Sequence, residues 1–401
     1  MPANSTLNYD TLKKAVAGSA AAFRLTLKLE AVSPKVFPPT YEGGKYATEE
    51  RIINGEKLPC VLLDSVPSQA NRMELALQEA WMADEVKLPV VSVDFSAVDN
   101  PGIPKISSLQ APHRIVDAIL RDSNLGKVKF RQSSVGKKFD NLTASYATPL
   151  LEHAPHCLVF GMWDSTGPRG GLGVKFSRAI TSEIIGVNAI EGVKTSSRID
   201  PLNIRVNSGV LYAAKEGWTL DEKEALKEKG KPKKLGSDGK PSEANHGNVT
   251  PSFDKGGFTI AYAEQSTVLS LPALRRLRFP ASIGEKSKPE SDIAARTYLA
   301  ALGLLGATLA VEAGYDLRSR CVLRAKDTLK WELLGRPGEA DVFYEVEKDA
   351  AIKLYSDALA AVQKAKLPLE LTEIVLTPTA DLVTLVQKSM EIAAVESGEA
   401  S

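Results

Sequence analysis

A glycine-rich stretch with three cations is the segment of this sequence whose residue types most directly suggest chemistry. Residues 161–178 read GMWDSTGPRGGLGVKFSR, with five glycines and with Arg169, Lys175 and Arg178 beside them. Glycine has no Cβ, so its backbone can approach a ligand closely and turn amides toward negatively charged oxygens. Arginine and lysine add charge-assisted hydrogen bonds to such oxygens. The stretch therefore predicts binding of a polyanion.

The stretch does not match the motifs that bind nucleotide cofactors. A P-loop places Gly-Lys-Ser/Thr five residues after its first glycine, whereas Leu172 stands five residues after Gly167. A dinucleotide fingerprint needs a third glycine where this chain has Phe176. The chain also contains no His-Glu-x-x-His and no Gly-x-Ser-x-Gly motif. The sequence therefore predicts no nucleotide cofactor and offers no recognised nucleophile.

Four other residues near this stretch could do chemistry. His153, His156 and Cys157 are a compact set of metal-ligand types, but a structural zinc site takes four ligands and no second pair follows. We interpret the three as packing residues before a buried strand, and no metal is expected. Asp164 is a candidate catalytic carboxylate, and the alternative is a loop aspartate that hydrogen-bonds the backbone of its own turn.

Short polar and basic clusters recur where regular elements begin or end. SQANR opens a helix, where free amides and side chains can receive phosphate, and simple N-capping is the alternative. RQSSVGKKF, TSSRIDP and LRRLRF are further clusters, for which a solvated surface or internal salt bridges are the alternatives. The candidate residues in the clusters are Ser68, Gln69, Asn71, Arg72, Arg131, Lys137, Lys138, Ser197, Arg198, Arg275, Arg276 and Arg278.

Composition limits which partners these clusters can have. The chain has 401 residues, with 50 Lys and Arg against 49 Asp and Glu, so any basic surface must be local. Cys60, Cys157 and Cys321 are odd in number and far apart, which favours reduced thiols in the cytoplasm. The longest uncharged run, residues 297–311, is shorter than the roughly 20 residues of a membrane span. We expect no membrane partner.

The elements that must position these residues are a mixture of strands and helices without regular alternation. Alternation and apolar runs predict strands at 23–32, 57–66, 89–98 and 156–164, and a strand pair over 175–192. Helices are predicted from residue 67, over 113–123, 142–153 and 291–313, and at 345–365 and 379–395. Residues 212–257 are rich in Lys, Pro and Gly and are predicted to project as a hairpin or arm. The fold class is therefore α+β.

Several cation-bearing turns on a nearly neutral chain indicate contact along an extended backbone. RNA fits this pattern, because single-stranded RNA is held through phosphates, 2′-hydroxyls and stacking.

Five ordered blocks resemble one family: DSVPSQANRME, FGMWDSTGPRGGLGVKFSRAITSEIIG, TSSRIDPL, SEANHGNVTP and AEQSTVLSLPALRRLRFP. The family is the RAMP-type Cascade backbone subunit of type I-U (I-G) CRISPR systems. The resemblance runs from about residue 20 to 325. It implies a modified RRM, or ferredoxin-like, palm over residues 1–340, with a fingers insertion at about 33–56 and a thumb insertion at about 212–257. A helical C-terminal extension would occupy 341–401.

The resemblance also implies a non-catalytic role with no cofactor. Copies of the chain would line up along CRISPR RNA, with other Cascade subunits, and present the guide for pairing with target DNA. Ser68, Gln69 and Arg72 resemble a helix start that contacts guide phosphates. His246 and Asn248 would lie near the tip or base of the thumb.

Given this resemblance, we interpret the glycine-rich stretch as a cradle for the guide RNA, because its five glycines are flanked by cations. Arg169, Lys175 and Arg178 would then contact phosphates, while Ser165 and Thr166 would hydrogen-bond the backbone or a ribose. One alternative is a guide-dependent RNase that cuts target RNA with Asp164. Another is a small-molecule enzyme with a glycine-lined pocket.

Overall fold

The computed structural model describes residues 5–98, 105–167, 173–336 and 338–400. Its α-helices are α1 (Tyr9–Ala17), α2 (Val66–Met82), α3 (Ala118–Arg121), α4 (Thr148–His153), α5 (His156–Phe160), α6 (Leu271–Arg275), α7 (Pro289–Glu312), α8 (Lys348–Lys364) and α9 (Ala380–Ala400).

The first strands are β1 (Ser5–Thr6), β2 (Ala22–Ala31), β3 (Thr40–Tyr41), β4 (Lys45–Tyr46), β5 (Thr48–Ile53), β6 (Glu56–Asp64), β7 (Val91–Asp94), β8 (Lys105–Ser107), β9 (Ser123–Leu125), β10 (Val128–Lys129), β11 (Met162–Trp163), β12 (Lys175–Phe176) and β13 (Ile180–Val187). The later strands are β14 (Ile190–Arg198), β15 (Tyr212–Ala213), β16 (Trp218–Thr219), β17 (Lys227–Glu228), β18 (Lys231–Pro232), β19 (Val249–Thr259), β20 (Tyr262–Ser270), β21 (Tyr315–Arg318), β22 (Cys321–Ala325), β23 (Lys330–Leu334), β24 (Val342–Glu345) and β25 (Ile374–Pro378).

The chain divides into two compact units, Met1–Ile190 with Phe258–Thr379 and Glu191–Gly257 with Ala380–Ser401. The first unit is built on a sheet in the order β1-β24-β23-β2-β20-β13-β6-β5, with β21 and β22 attached beside β2. Its pairs are antiparallel except β1 with β24. The structure thus confirms a mixed α+β fold with a largely antiparallel sheet.

One face of this sheet is buried under helices. Along β2, Phe23, Leu25, Leu27 and Leu29 are buried and alternate with more exposed residues, as the pleat of a half-buried strand requires. Helix α7 packs against α1, α2, α5 and α8. Among the described residues it is the one helix long and apolar enough to cross a membrane, but 83% of its apolar window is buried inside the protein. It therefore has the burial of a core helix.

A second sheet of the first unit has the order β10-β9-β25-β7-β8. Strand β25 comes from the C-terminal part of the chain and pairs in parallel with β7, with Ile374 opposite Val91. Strand β24 likewise joins the main sheet. The segment 341–401, which was predicted as a helical extension, therefore also supplies strands. These strands are short apolar runs beside strong helical patterns, so they were not predicted from the sequence.

The second unit contains a two-stranded ribbon of β14 and β19 and two small hairpins, β15–β16 and β17–β18. Leu211, Ala213, Leu235 and Ala244 form a small core of its own, against which Trp218 packs. This unit begins at Glu191, upstream of the predicted thumb boundary near residue 212. Its lysine-rich region is therefore folded around a core rather than being an arm without one.

The predicted strand over 156–164 is wrong. Residues His156–Phe160 form helix α5, and only Met162–Trp163 is a strand. All five residues of α5 are buried, so the apolar run shows no periodicity that separates a buried helix from a buried strand. The predicted helix over 142–153 is likewise limited to α4, and that over 113–123 to the single turn α3 and a preceding 3₁₀ turn.

Candidate nucleic-acid interface

The glycine-rich stretch forms a hairpin of β11 and β12 in which the two faces differ. Met162 pairs with Phe176 and both are buried, whereas Trp163 pairs with Lys175 and both are exposed. The apolar pair holds the hairpin on the protein, so the opposite face is presented to solvent. Residues 168–172, which include the predicted phosphate ligand Arg169, lie outside the described part of the chain.

Asp164 follows this hairpin strand and is buried in an ion pair. Its Oδ2 lies 2.9 Å from Nη2 of Arg131, which also hydrogen-bonds Asp140 at 3.1 Å. A Cβ on Gly167 would come within 2.6 Å of the Asp164 carboxylate, so that turn needs glycine. Asp164 thus fixes the loop on Arg131, and its neighbours Ser165 and Thr166 are exposed. Arg131 is a positioning residue in this arrangement.

Arg178 lies at the other end of the stretch, against Gly161. Gly161 has φ of +87°, and a Cβ there would meet Cγ of Arg178 at 3.0 Å. Arg178 remains exposed to solvent, and partial burial of its side chain, followed by the positive charge of Arg114, lowers its pKa. Arg114 makes two hydrogen bonds of 2.6 Å to Glu74, whose pKa burial raises to about 7. Glu74 is thus held by Arg114, and no ion pair of Arg178 is found in the described parts of the chain.

The SQANR helix start converges on Asp64, a fully buried carboxylate at the end of β6. Ser68 Oγ donates to Oδ1 at 2.8 Å, Gln69 Nε2 to Oδ2 at 2.6 Å and Arg72 Nε to Oδ2 at 2.9 Å. Arg318 from β21 adds a hydrogen bond to Oδ1 at 3.2 Å. Four donors on one buried carboxylate are what a buried charge requires. These contacts make the segment a structural junction, while Asn71 remains exposed.

Gln69 extends that junction into the sheet. Its Oε1 accepts from Ser182 at 3.0 Å and from Gln265 at 2.9 Å. Gln265 in turn accepts from Tyr315 at 2.6 Å. This buried network ties α2 to β13, β20 and β21, so Gln69 is not available to a ligand in this conformation.

The predicted residues of the second unit hold the ends of β14 and β19 together. Arg198 donates to the carbonyls of His246 and Gly247, at 2.8 and 2.9 Å from Nη2, and the amide of Asp200 donates to Asn248 Oδ1 at 2.7 Å. The His246 ring packs edge-on against Trp218. Ser197 is exposed on β14.

The LRRLRF arginines separate into two groups. Arg275 donates to the carbonyls of Gly18 and Ala20, and Arg278 donates to those of Arg275 and Leu277. These contacts stabilise chain turns. Arg276, like Lys137 of the RQSSVGKKF cluster, is exposed, and no ion pair of either is recorded in the described parts of the chain. Lys138 pairs with Glu152 at 2.8 Å.

The buried residues at α5 have the character of packing residues. Burial raises the pKa of Cys157 to about 12 and, with Arg114, lowers that of His156 to about 3. All three cysteines are free and buried, as the prediction of packing thiols requires. Within 5–98, 105–167, 173–336 and 338–400, no group of three or more His, Cys, Asp or Glu is placed to hold a metal.

An acidic groove marks a face of the first unit that disfavours RNA. It has a volume of about 570 Å³ and lies between α2 and α7. Glu79, Glu85, Glu312 and Asp316 line it, and two lining cations are paired, Lys348 with Glu85 at 2.9 Å and Arg72 with Asp64 at 2.9 Å. Phosphates would be repelled there, so the exposed cations Lys137, Lys175, Arg178 and Arg276 are the better candidates for contact with RNA. Contact of these residues with RNA stays a prediction.

Sequence reasoning missed Trp163, Asp64 and Arg318. The alternation of buried Met162 with exposed Trp163 could have been found, because a strand that places Met inward places its neighbour outward. Arg318 could not, since it lies 254 residues from Asp64 in the chain and only the fold brings them together.

Comparison with known proteins gives a family match and several similar solved structures, of which one is described below. Residues 24–191, fewer than half of the chain, match the family described as CRISPR-associated protein GSU0053, which confirms the CRISPR-associated resemblance over that region. No curated protein matches. The crystal structure of Thermofilum pendens Csc2 is 12% identical and covers 88% of this chain and 77% of its own, with a TM-score of 0.25. So low a TM-score carries no argument about this chain.

Proposed function

We propose that this protein, which carries the region of the CRISPR-associated GSU0053 family over residues 24–191, is an RNA-binding backbone subunit of a CRISPR effector complex of the Cascade type. It would bind the phosphates of CRISPR RNA with further copies of itself and other Cascade subunits, in the cytoplasm, leaving the bases to pair with target DNA. The type I-U (I-G) subtype is part of the proposal.

The hairpin of β11 and β12 is the observation that carries this proposal. Its outer face presents Trp163 and Lys175 together, and Arg178 is exposed two residues after the hairpin. An aromatic ring beside cations is the combination that holds a single strand through bases and phosphates. Trp163, Lys175 and Arg178 all lie within residues 24–191, the region that matches the family.

The topology of the first unit supports the ferredoxin-like part of the proposal. Taken in chain order, β2, α2, β13, β20, α7 and β23 follow the β-α-β-β-α-β sequence of that fold. In the sheet these strands stand in the order β23-β2-β20-β13 and are antiparallel. Strands β5 and β6 would then be an addition at the edge, formed partly from the predicted fingers.

We also propose that the subunit does not cut RNA. A catalytic carboxylate must reach a metal ion or a water molecule, whereas Asp164 is buried against Arg131 at 2.9 Å. That ion pair gives Asp164 a structural role in the loop, which favours the non-catalytic alternative over a loop-aspartate RNase.

A charge-removal pair tests the RNA-binding proposal. Lys175→Gln with Arg178→Gln should weaken binding of single-stranded RNA of any sequence, because two phosphate contacts are lost. The slope of log affinity against log salt should fall by about 1.4, at about 0.7 per phosphate on a single strand. Fluorescence anisotropy at several salt concentrations measures both quantities.

The matched control removes the same charge elsewhere in the first unit. Lys14→Gln in α1 with Lys364→Gln in α8 changes two exposed lysines. It should leave the affinity and the slope as in the unchanged protein. Equal effects of the two pairs would mean that only net charge matters and would overturn the proposed site.

A further inference from the structure

Trp163 is exposed on the outer face of the β11–β12 hairpin. Its side chain is 55% exposed, whereas Trp331 is fully buried. Single exposed apolar side chains are common on protein surfaces, so the exposure of Trp163 points to a ligand only together with the cations beside it.

The hairpin fixes the direction of this indole. Strand neighbour Met162 and cross-strand residue Phe176 are buried, and Asp164 on the other side is paired with Arg131. The backbone of Trp163 is therefore anchored on both sides. An aromatic ring on such a support loses little conformational entropy when a ligand stacks on it.

The chemistry around Trp163 decides between an RNA base and a protein partner. A protein-binding hot spot sits in a patch whose centre is apolar. Here the cross-strand neighbour is Lys175, the chain continues into exposed Ser165 and Thr166, and Arg178 follows β12. A flat ring among cations and hydroxyl groups is chemically complementary to a nucleobase attached to a phosphate chain.

We propose that Trp163 stacks on one unpaired nucleobase of the bound RNA, while Lys175 binds the adjacent phosphate. The inference rests on the proposed function and adds a base contact to it. An indole face offers no pattern of hydrogen bonds, so the stacked base can be of any identity. The indole would cover one face of the base and leave its hydrogen-bonding edge free.

An abasic ligand separates stacking from phosphate binding. Affinities are measured for a single-stranded RNA and for an abasic ribose-phosphate strand of the same length. The unchanged protein should prefer the RNA by roughly 5- to 150-fold, the fold-change that corresponds to about 1–3 kcal/mol for one stacked base. Trp163→Ala should lose most of that preference while its salt slope stays unchanged, and Trp163→Phe should keep part of it.

Tryptophan fluorescence supplies an independent readout. RNA should quench the emission of the unchanged protein and of a Trp81→Phe control, and the quenching should be lost in Trp163→Phe. Equal RNA-to-abasic ratios in the unchanged protein and in Trp163→Ala would overturn the stacking and leave the phosphate-binding function standing. Failure of the unchanged protein to bind either strand would overturn both.

Discussion

His156 is buried in α5 with neither ring nitrogen hydrogen-bonded, which is uncommon for a polar side chain inside a protein. Burial, and then the charge of Arg114, lowers its pKa to about 3. The neutral imidazole therefore acts as a packing group, and burial together with the nearby Arg114 charge opposes its protonation.

This burial predicts loss of stability in acid. The unfolded chain takes up a proton on His156 near its ordinary pKa of about 6.5, while the folded chain does so only near 3. Protonation thus favours unfolding, and stability should fall as the pH drops below about 6.5. His156→Leu, of similar volume, should show a smaller fall in Tm between neutral and mildly acidic pH.

Comparing the Tm of the unchanged protein with that of His156→Leu at each pH separates the contribution of His156 to stability from that of Glu74. Burial raises the Glu74 pKa to about 7, so that carboxyl favours the folded state toward acid and acts with the opposite sign. Glu74 is present in both proteins, and its contribution cancels in the difference. Parallel Tm curves for the two proteins would refute the role given to His156.

At the scale of elements, α7 packs closely against α2 and α5 because two of its residues have no side chain. A Cβ on Gly306 would lie 3.1 Å from Leu77 of α2 and 3.3 Å from Phe160 of α5. Gly303 similarly faces Val159 of α5 at 3.3 Å. These glycines let α5 approach α7, and α5 leads directly into the hairpin that presents Trp163.

Gly306→Leu should therefore destabilise the first unit by about 1–3 kcal/mol through overpacking. Urea denaturation followed by circular dichroism gives the free energy of unfolding. Ala310→Leu, at a half-buried position of the same helix, is the control and should change it much less. If both variants lose the same stability, the close approach of α7 to α5 and α2 is not what limits the size of residue 306.

Elements with a clear hydrophobic periodicity were predictable from the sequence, and elements defined by residues distant in the chain were not. The alternation in Phe23–Leu29 gave β2, and Pro67 near the start of a periodic run gave α2. Helix α5 was missed because it is buried on all sides. The Asp64 junction was missed because its donors come from α2 and β21, so SQANR looked free to bind phosphate.

The whole molecule carries a nearly balanced charge, and several of the arginines predicted to bind RNA are occupied by protein groups instead. Arg72, Arg131, Arg198, Arg275 and Arg278 all contact protein groups. Under the proposed function, the candidate cations Lys137, Lys175, Arg178 and Arg276 of several copies would bind along one strand. Binding by a single copy should be weak, and binding by neighbours should be cooperative.

Assembly on RNA tests this view of the molecule. Particles formed with RNAs of one, two and three times the same length should grow in mass by equal steps, as measured by light scattering after size-exclusion chromatography. Incubation of these particles with complementary RNA and Mg²⁺ should leave that RNA intact. A single mass for every RNA length would contradict the backbone role, and regularly spaced cuts abolished by Asp164→Ala would establish the RNase.

The parallel pairing of β25 with β7 has a consequence for how the protein is made. Val91 emerges from the ribosome long before Ile374, its partner in the sheet, has been synthesised. Contacts between such distant residues form late, since a long loop must be closed first. Until then β7 and β9 keep unpaired edges, which invite pairing with other nascent chains. We therefore expect folding during translation to depend on chaperones until β25 has been synthesised and closes this sheet.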